Sequence, residues 1–131
     1  MVDKKSLRKD VFEYVKEKYR SEIEYLWESS PNCAVFRHFD NRKWYGIVMD
    51  ITYDKFGLKS KDKVDVLNVK LSNFVIHSLL EQKGFYPAYH MNKEYWISIL
   101  LDGTVKFDEI CALIDMSYDL TNSKKRASKL A

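Results

Sequence analysis

The stretch from residue 84 to residue 101 collects side chains of the kinds that bind ligands: aromatic rings, an imidazole, an amide and an amine. An aromatic ring beside hydrogen-bond donors is typical of a binding surface, although most tryptophans of small domains are simply buried in the core. We therefore treat the stretch as a candidate binding surface, with burial as the alternative. Its members are Tyr86, Tyr89, His90, Asn92, Lys93, Tyr95 and Trp96.

One pair in this stretch, His90 and Glu94, has the four-residue spacing of metal ligands on a helix. Pro87 and the alternation that follows it predict extended chain instead, in which the two residues lie ~13 Å apart. Cys33 and His38 lack the third, orienting group of an activated nucleophile. The chain also has no GxSxG, P-loop or GxGxxG motif. We expect no metal, no cofactor and no enzymatic activity.

Basic charge placed in loops is the second chemical feature. Residues 53–63 carry two aspartates and four lysines, which are Lys55, Lys59, Lys61 and Lys63. With Gly57 and Ser60 supplying flexibility, this segment is expected to form a projecting wing that sets ammonium groups on phosphates, or else a solubilising hairpin tip. A second basic run follows the last predicted helix and contains Lys124, Lys125, Arg126 and Lys129.

Composition limits the class of protein. The 131 residues carry a formal charge of +3, which permits an anionic partner without requiring one. Cys33 and Cys111 are too few for a disulfide framework, and the N-terminus lacks the apolar run of a signal peptide. No apolar run approaches the ~18 residues of a membrane helix. We expect a cytoplasmic protein that does not span a membrane, with one domain over residues 1–123 and a basic, flexible tail over 124–131.

Helical spacing predicts a first helix after Ser6, a suitable N-cap, from the apolar residues Leu7, Val11, Val15 and Tyr19. Ser72 is expected to cap a second helix over residues 73–82, which Gly84 ends. A third helix is predicted over residues 107–121 from apolar spacing and two acidic residues in its first turn. Residues 22–27 fit either an irregular segment or a short helix.

Residues 33–38, 43–52 and 64–71 predict three consecutive antiparallel strands, and residues 94–101 alternate as a further strand. In the second strand one side holds Tyr45, Ile47, Met49 and Ile51. We expect an apolar sheet face packed on the helices and a second face that is open or only partly covered. That second face mixes Trp44, Asn68, Lys70 and Trp96.

Three blocks of sequence resemble the bacterial MmcQ/YjbR-like family: residues 67–70 (LNVK), 84–96 (GFYPAYHMNKEYW) and 117–120 (SYDL). The resemblance implies an α+β chain in the order α-β-β-β-α-β-β-α, with one antiparallel sheet packed on helices, similar to secretion-chaperone-like and frataxin-like sandwiches. Members of the family are described as DNA-binding proteins with a double-wing arrangement. This chain departs from the pattern at Glu94, where relatives often carry a basic or polar residue.

The leading hypothesis is a small DNA-binding protein without catalysis, motivated by the resemblance and by the basic segments. Arg42, Lys43, Lys70 and Lys93 would join the four wing lysines on phosphates, which supply affinity and little specificity. His90, Asn92, Trp44 and Trp96 would contact bases or sugars, or shape the surface. The alternative is a module that binds a peptide or small molecule between Trp44, Trp96 and Tyr89, with Lys70 or Lys93 pairing an anionic group. The oligomeric state is left open.

Overall fold

A computed structural model of the chain describes residues 6–122. The described part consists of three α-helices, one short 3₁₀ helix and five strands, in the predicted order α-β-β-β-α-β-β-α. The basic tail over residues 124–131 lies outside the described residues. The elements are α1 Arg8–Tyr19, β1 Ala34–Arg37, β2 Trp44–Thr52, the 3₁₀ helix Tyr53–Phe56, β3 Lys63–Lys70, α2 Asn73–Leu79, β4 Phe85–Pro87, β5 Trp96–Leu100 and α3 Phe107–Thr121.

The five strands form one antiparallel sheet in the order β1-β2-β3-β5-β4. Directly opposed residues in an antiparallel sheet share a face, so rows of side chains can be followed across it. One row runs from Val48 through Leu67 and Ile99 to Phe85. The next row runs from Ile47 through Asn68 and Ser98 to Tyr86, on the opposite face. The predicted α+β architecture is confirmed.

The first row belongs to the main hydrophobic core, which all three helices cover. Each helix contributes apolar side chains at helical spacing, and the strands contribute the residues on the same side as Leu67. We call this side of the sheet the helix face and the opposite side the outer face. The helix residues in the core are Val11 and Val15 of α1, Ile76 and Leu79 of α2, and Ile110, Leu113 and Ile114 of α3.

A β-bulge between β1 and β2 changes the expected sides of the second strand. Gly46 lies opposite Phe36 while Trp44 lies opposite Arg37, so Tyr45 is the extra residue. Its ring turns to the helix face and packs 5.7 Å from the ring of Phe36. Ile47, Met49 and Ile51 keep strict alternation and lie on the outer face with β3 residues such as Val66. The prediction that Tyr45, Ile47, Met49 and Ile51 share the apolar side opposite Trp44 is therefore wrong: Tyr45 faces the helices, and the other three face outward with Trp44.

Gly46 at this bulge is required by close packing. A Cβ atom there would lie 2.5 Å from two ring atoms of Phe36. Any larger residue would push Phe36 out of the core, where it is fully buried.

Two helix boundaries differ from the predicted ones. The first helix begins at Arg8 with Leu7 as N-cap, while the Ser6 hydroxyl accepts the Arg8 N–H at 3.1 Å and donates to Asp65 at 2.6 Å. Helix α2 is capped by Ser72 as predicted but ends at Leu79 rather than residue 82. After it the chain forms tight turns until Gly84, whose φ of 93° starts β4.

The segment over residues 22–27 is irregular rather than helical. Its one described β-bridge joins Glu24 to Val35, with backbone hydrogen bonds of 3.1 and 2.9 Å. The bridge extends the sheet by a single position beyond β1 and covers part of that edge.

Candidate nucleic-acid interface

The outer face of the sheet is partly covered by the connection between β2 and β3, which we call the wing (residues 53–63). Its 3₁₀ helix lays Phe56 over the sheet, with the ring stacked 4.7 Å from that of Tyr86. A second apolar cluster forms beneath it and anchors the wing. The members of this cluster are Val64, Val66 and Leu100, with Met49, Ile51, Tyr53, Phe56 and Tyr86 packed against them.

The wing closes as a hairpin, and Phe56 packs it on the outer face, so it does not project freely from the sheet. The Tyr53 N–H donates to the Asp62 carbonyl at 3.1 Å, and Gly57 adopts a φ of 81° where the 3₁₀ helix ends. The side chains of Lys55, Lys59 and Lys61 are exposed. Lys63 lies at the base, where its Nζ is 3.8 Å from an Asp50 carboxylate oxygen. Three of the four wing lysines are therefore free to meet an external anion.

Asn68 is a correction to the predicted surface. Its side chain and that of Ser98 are fully buried in the middle of the outer face. The Ser98 hydroxyl donates to Asn68 Oδ1, Asn68 Nδ2 donates to the Tyr89 carbonyl at 3.2 Å, and the Tyr89 N–H donates to Ser98 Oγ at 3.0 Å. Because every polar atom of the pair is turned inward, Asn68 holds the loop after β4 and is not available to a ligand.

The loop over residues 88–95, between β4 and β5, carries four predicted site residues, of which Tyr89 is half-buried and bonded through its backbone to Asn68 and Ser98. Asn92 is exposed, but its Oδ1 accepts the Glu94 N–H at 2.8 Å and its carbonyl accepts the Trp96 N–H at 2.9 Å. The Asn92 side chain therefore shapes the loop. His90 has a φ of 63° and packs 3.9 Å from the Tyr89 ring, and Lys93 is exposed.

Trp44 and Trp96 are half-buried on the outer face, so neither ring is sealed by the helices. Trp96 lies directly opposite Lys70 in the β3–β5 pair. Trp44 lies edge-on to Trp27, with ring centroids 5.8 Å apart. Trp27 and Phe56 also lie at the outer face, although neither was predicted as a site residue. Phe56 could have been found from the sequence, because it is an aromatic residue inside a lysine-rich loop.

The predicted cations form two groups instead of one patch. The wing follows the end of β2, whereas Arg42 and Lys43 precede the start of the same strand. The nine residues of β2 make eight steps of ~3.4 Å, so the strand is about 27 Å long. Lys70 and Lys93 belong with Arg42, close to the start of β5. Arg42 is partly neutralised by Glu24, 3.9 Å away.

The charges of the strands are sorted by face. Among strand residues directed to the outer face, the charged ones are Arg37 and Lys70. The two strand carboxylates, Asp50 and Asp65, lie opposite each other on the helix face, where Asp65 pairs with Arg8 at 3.2 Å. The outer face between the two cation groups is thus free of strand carboxylates.

The Cys33 and His38 pair does not form a dyad. The two residues lie at opposite ends of β1, roughly 16 Å apart along an extended strand. Burial lowers the pKa of His38, whose Nε2 is 2.7 Å from Thr121 Oγ1, and burial raises the pKa of the Cys33 thiol. A protonated thiol and a buried imidazole that already has a partner have no nucleophilic chemistry.

Within residues 6–122 no three His, Cys, Asp or Glu side chains come together as metal ligands. No helix in the same range has the length and apolar character needed to cross a membrane.

The sequence of this chain is similar to those of known proteins. The model of the family described as YjbR matches residues 16–120. An uncharacterised Bacillus subtilis protein, YyaQ, is 43% identical over 114 residues, which cover 87% of this chain and 97% of that protein.

Solved structures show the same fold. A crystal structure of a Pseudomonas syringae protein is 43% identical, with a TM-score of 0.85, and covers 88% of this chain and 98% of its own. A solution NMR structure from the same organism, also 43% identical, has a TM-score of 0.80 and covers 88% and 92%. A crystal structure of the Deinococcus radiodurans protein DR2400, a DUF419 domain, is similar in fold alone, at 21% identity, a TM-score of 0.69 and coverage of 94% and 87%.

Proposed function

The chain belongs to the YjbR family, as its sequence motifs predicted, and from that premise we propose that it is a cytoplasmic, non-catalytic protein that binds DNA across the outer face of its sheet. The observation that carries the proposal is the sorting of charge. The strand cation Lys70 points outward, as does Arg37, whose charge is paired with Glu24. The strand carboxylates point to the helices, and lysines flank the outer face at both ends.

The spacing of the two cation groups suits a duplex. They lie at opposite ends of β2, a nine-residue strand of ~27 Å, which is shorter than the ~34 Å of one turn of B-DNA. A duplex laid along the strands would therefore place phosphates near the wing and near Lys70 and Lys93 within the same turn. Ammonium groups on flexible stems meet phosphates as point charges, so this arrangement predicts affinity with little sequence preference.

The outer-face aromatics support contact with sugars or bases. Phe56 lies in the wing, and Trp44 and Trp96 lie beside the other cation group; all three are partly exposed. Aromatic rings beside a basic track are the usual means of holding unstacked bases as well as the backbone. The proposal therefore includes single-stranded segments among the DNA forms to be tested.

The test is fluorescence anisotropy with labelled duplex and single-stranded DNA, beginning at low salt. We expect binding whose affinity falls as salt rises, because each phosphate contact releases counterions. The variant Lys59→Glu/Lys61→Glu should weaken binding to all sequences equally and reduce the salt slope by about 2. Absence of binding at low salt, or binding that salt does not affect, would contradict the proposal.

The matched control is Lys9→Glu/Lys16→Glu, which makes the same change in net charge on α1. Both lysines are exposed and lie on the helix side of the molecule. Their reversal should change affinity much less than reversal of the wing lysines. Equal losses in the two variants would show a net-charge effect instead of an interface.

A peptide- or small-molecule-binding module remains the second candidate, because Trp96 is half-buried beside Lys70. An aromatic wall next to one cation suits an anionic group on an apolar body. This candidate predicts that Trp96→Ala removes saturable binding of an acidic peptide, while Lys59→Glu/Lys61→Glu leaves it unchanged. The reverse pattern with DNA would favour the first proposal.

A further inference from the structure

A cavity of about 330 Å³ lies away from the wing, between the end of α1, the start of the β1–β2 turn and the end of α3. Three arginines line it, and we call it the arginine cavity. Its size is at the small end of the ~300–1,000 Å³ range of ligand pockets. The residues used below are Arg20, Arg37, Arg42, Glu24, Phe39 and Tyr118.

The three arginines differ in how far they are neutralised. Arg37 is fully engaged, since its Nε and Nη2 each donate to a Glu24 carboxylate oxygen at 2.9 Å. Arg42 is 3.9 Å from the same carboxylate and remains largely exposed. The Arg20 guanidinium has no ion pair within residues 6–122. Two positive charges are therefore available for a ligand. The exposed Glu22 opposes them, as do Asp40 and Asp119, whose carboxylates act on Tyr118.

The backbone at both available arginines is in the left-handed region. Arg20 has a φ of 57° and Arg42 a φ of 63°. Within the described chain, only His90 is a third non-glycine residue with positive φ. At Arg20 this conformation ends α1, where the Arg20 N–H donates to the Lys16 carbonyl at 3.1 Å, and so fixes the direction in which the side chain leaves the helix end.

Aromatic rings form the wall beside these charges. Tyr118 is stacked on Tyr19 with ring centroids 3.7 Å apart and packs against the buried His38 at 4.2 Å. Phe39, in the β1–β2 turn, is 94% exposed. A ring so exposed contributes little to the core, so its position at the cavity is available to a planar ligand.

We propose that the arginine cavity binds a small anion that carries an aromatic ring, of the class of a nucleoside monophosphate. Arg20 and Arg42 hold the phosphate, because guanidinium groups match phosphate oxygens with paired hydrogen bonds. Phe39 stacks on the ring of the ligand. The site shares Arg42 with the second cation group but is distinct from the wing, and it stands whether or not the protein binds DNA.

The experiment is an NMR titration of the ¹⁵N-labelled full chain with AMP, adenosine and inorganic phosphate. We expect saturable shifts of cavity residues with AMP, weaker ones with phosphate and weaker ones still with adenosine. Arg20→Gln should weaken AMP binding by about tenfold, since a hydrogen bond to a charged group is lost. Phe39→Ala should weaken AMP binding by about fivefold or more and leave phosphate binding unchanged.

Two further variants test whether the bound ligand is an anion. Glu22→Gln should tighten AMP binding, because it removes a carboxylate of the cavity lining that opposes the phosphate. Lys9→Gln, on the exposed face of α1, should leave it unchanged. Adenosine binding as tight as AMP binding, wild-type affinity in Arg20→Gln, or shifts confined to the outer face would each overturn the proposal. Spectra of the free variants that match the wild type show that any loss does not come from unfolding.

Discussion

Asn68 and Ser98 are a polar pair on a sheet face whose neighbouring positions are apolar. Their hydrogen bonds with Tyr89 fasten the loop over residues 88–95 to the sheet, and no water is needed to satisfy them. Buried amides and hydroxyls that are fully bonded specify one arrangement of the chain. The loop that carries His90 and Lys93 is therefore positioned by residues that a ligand does not reach.

Asn68→Ala should lower the free energy of unfolding by about 1–3 kcal/mol, because it leaves the Ser98 O–H without its acceptor and the Tyr89 carbonyl without its donor. Urea unfolding followed by circular dichroism measures the change. Asn73→Ala is the matched control, since Asn73 also donates its amide to this loop, to the Glu94 carbonyl at 3.0 Å, but from an exposed position. Equal losses in the two variants would contradict the argument from burial.

The Asp115 carboxylate of α3 bonds three side chains of α1. Asp115 accepts hydrogen bonds from the Tyr14 hydroxyl at 2.8 Å, the Tyr19 hydroxyl at 2.6 Å and Lys18 Nζ at 3.0 Å. Burial alone raises the pKa of Asp115, but these hydrogen bonds outweigh burial, and the pKa lies below its ordinary value of 3.8. The link favours the charged form of Asp115 in the folded state.

The sign of the pH dependence follows from this lowered pKa. At pH values above 3.8 the carboxylate is ionised in both states and its full contribution to stability is present. As pH falls through the folded-state pKa, Asp115 takes up a proton and the contribution is lost. The difference in unfolding free energy between wild type and Asp115→Asn should therefore be constant near neutral pH and shrink in acid.

Urea unfolding at a series of pH values from neutral to acidic measures that difference. Glu13→Gln, at an exposed position on α1, is the control and should give a small difference at every pH. A difference for Asp115→Asn that grows in acid would mean that the carboxylate is not stabilised by its hydrogen bonds.

At the scale of the whole molecule, one sheet separates two apolar clusters. The main core lies under the helices, and the smaller cluster lies under the wing on the outer face. Both clusters take residues from β2, β3, β4 and β5 or their ends, so neither can open without disturbing the same strands. This arrangement predicts cooperative unfolding.

Tryptophan fluorescence and far-UV circular dichroism should give coincident urea transitions. Trp27, Trp44 and Trp96 report on the outer-face side, while the dichroism signal is dominated by the three helices. Coincidence shows that the two sides unfold together. A fluorescence change at lower urea than the loss of helix would show that the outer face opens independently.

Local patterns in the sequence were sufficient for the elements. Helix α3 has the limits predicted from apolar spacing, and the three strands of the meander lie within two residues of theirs. Helical and strand periodicities are properties of neighbouring residues, so they can be read without knowing the fold. The wing was likewise marked by its lysines, its glycine and its place between two strands.

Contacts between distant residues decided the rest. The bulge that turns Tyr45 to the helices comes from the pairing of β1 with β2, and the burial of Asn68 comes from a loop 21 residues further along the chain. The arginine cavity joins the end of α1 to a turn between strands and the end of α3. Alternation along one strand does not reveal the pairing register of that strand or which segment covers its side chains. Both depend on which other strand or loop packs against it. The amino-acid sequence alone therefore determined which elements form, and only the tertiary structure decided which of their side chains meet a ligand.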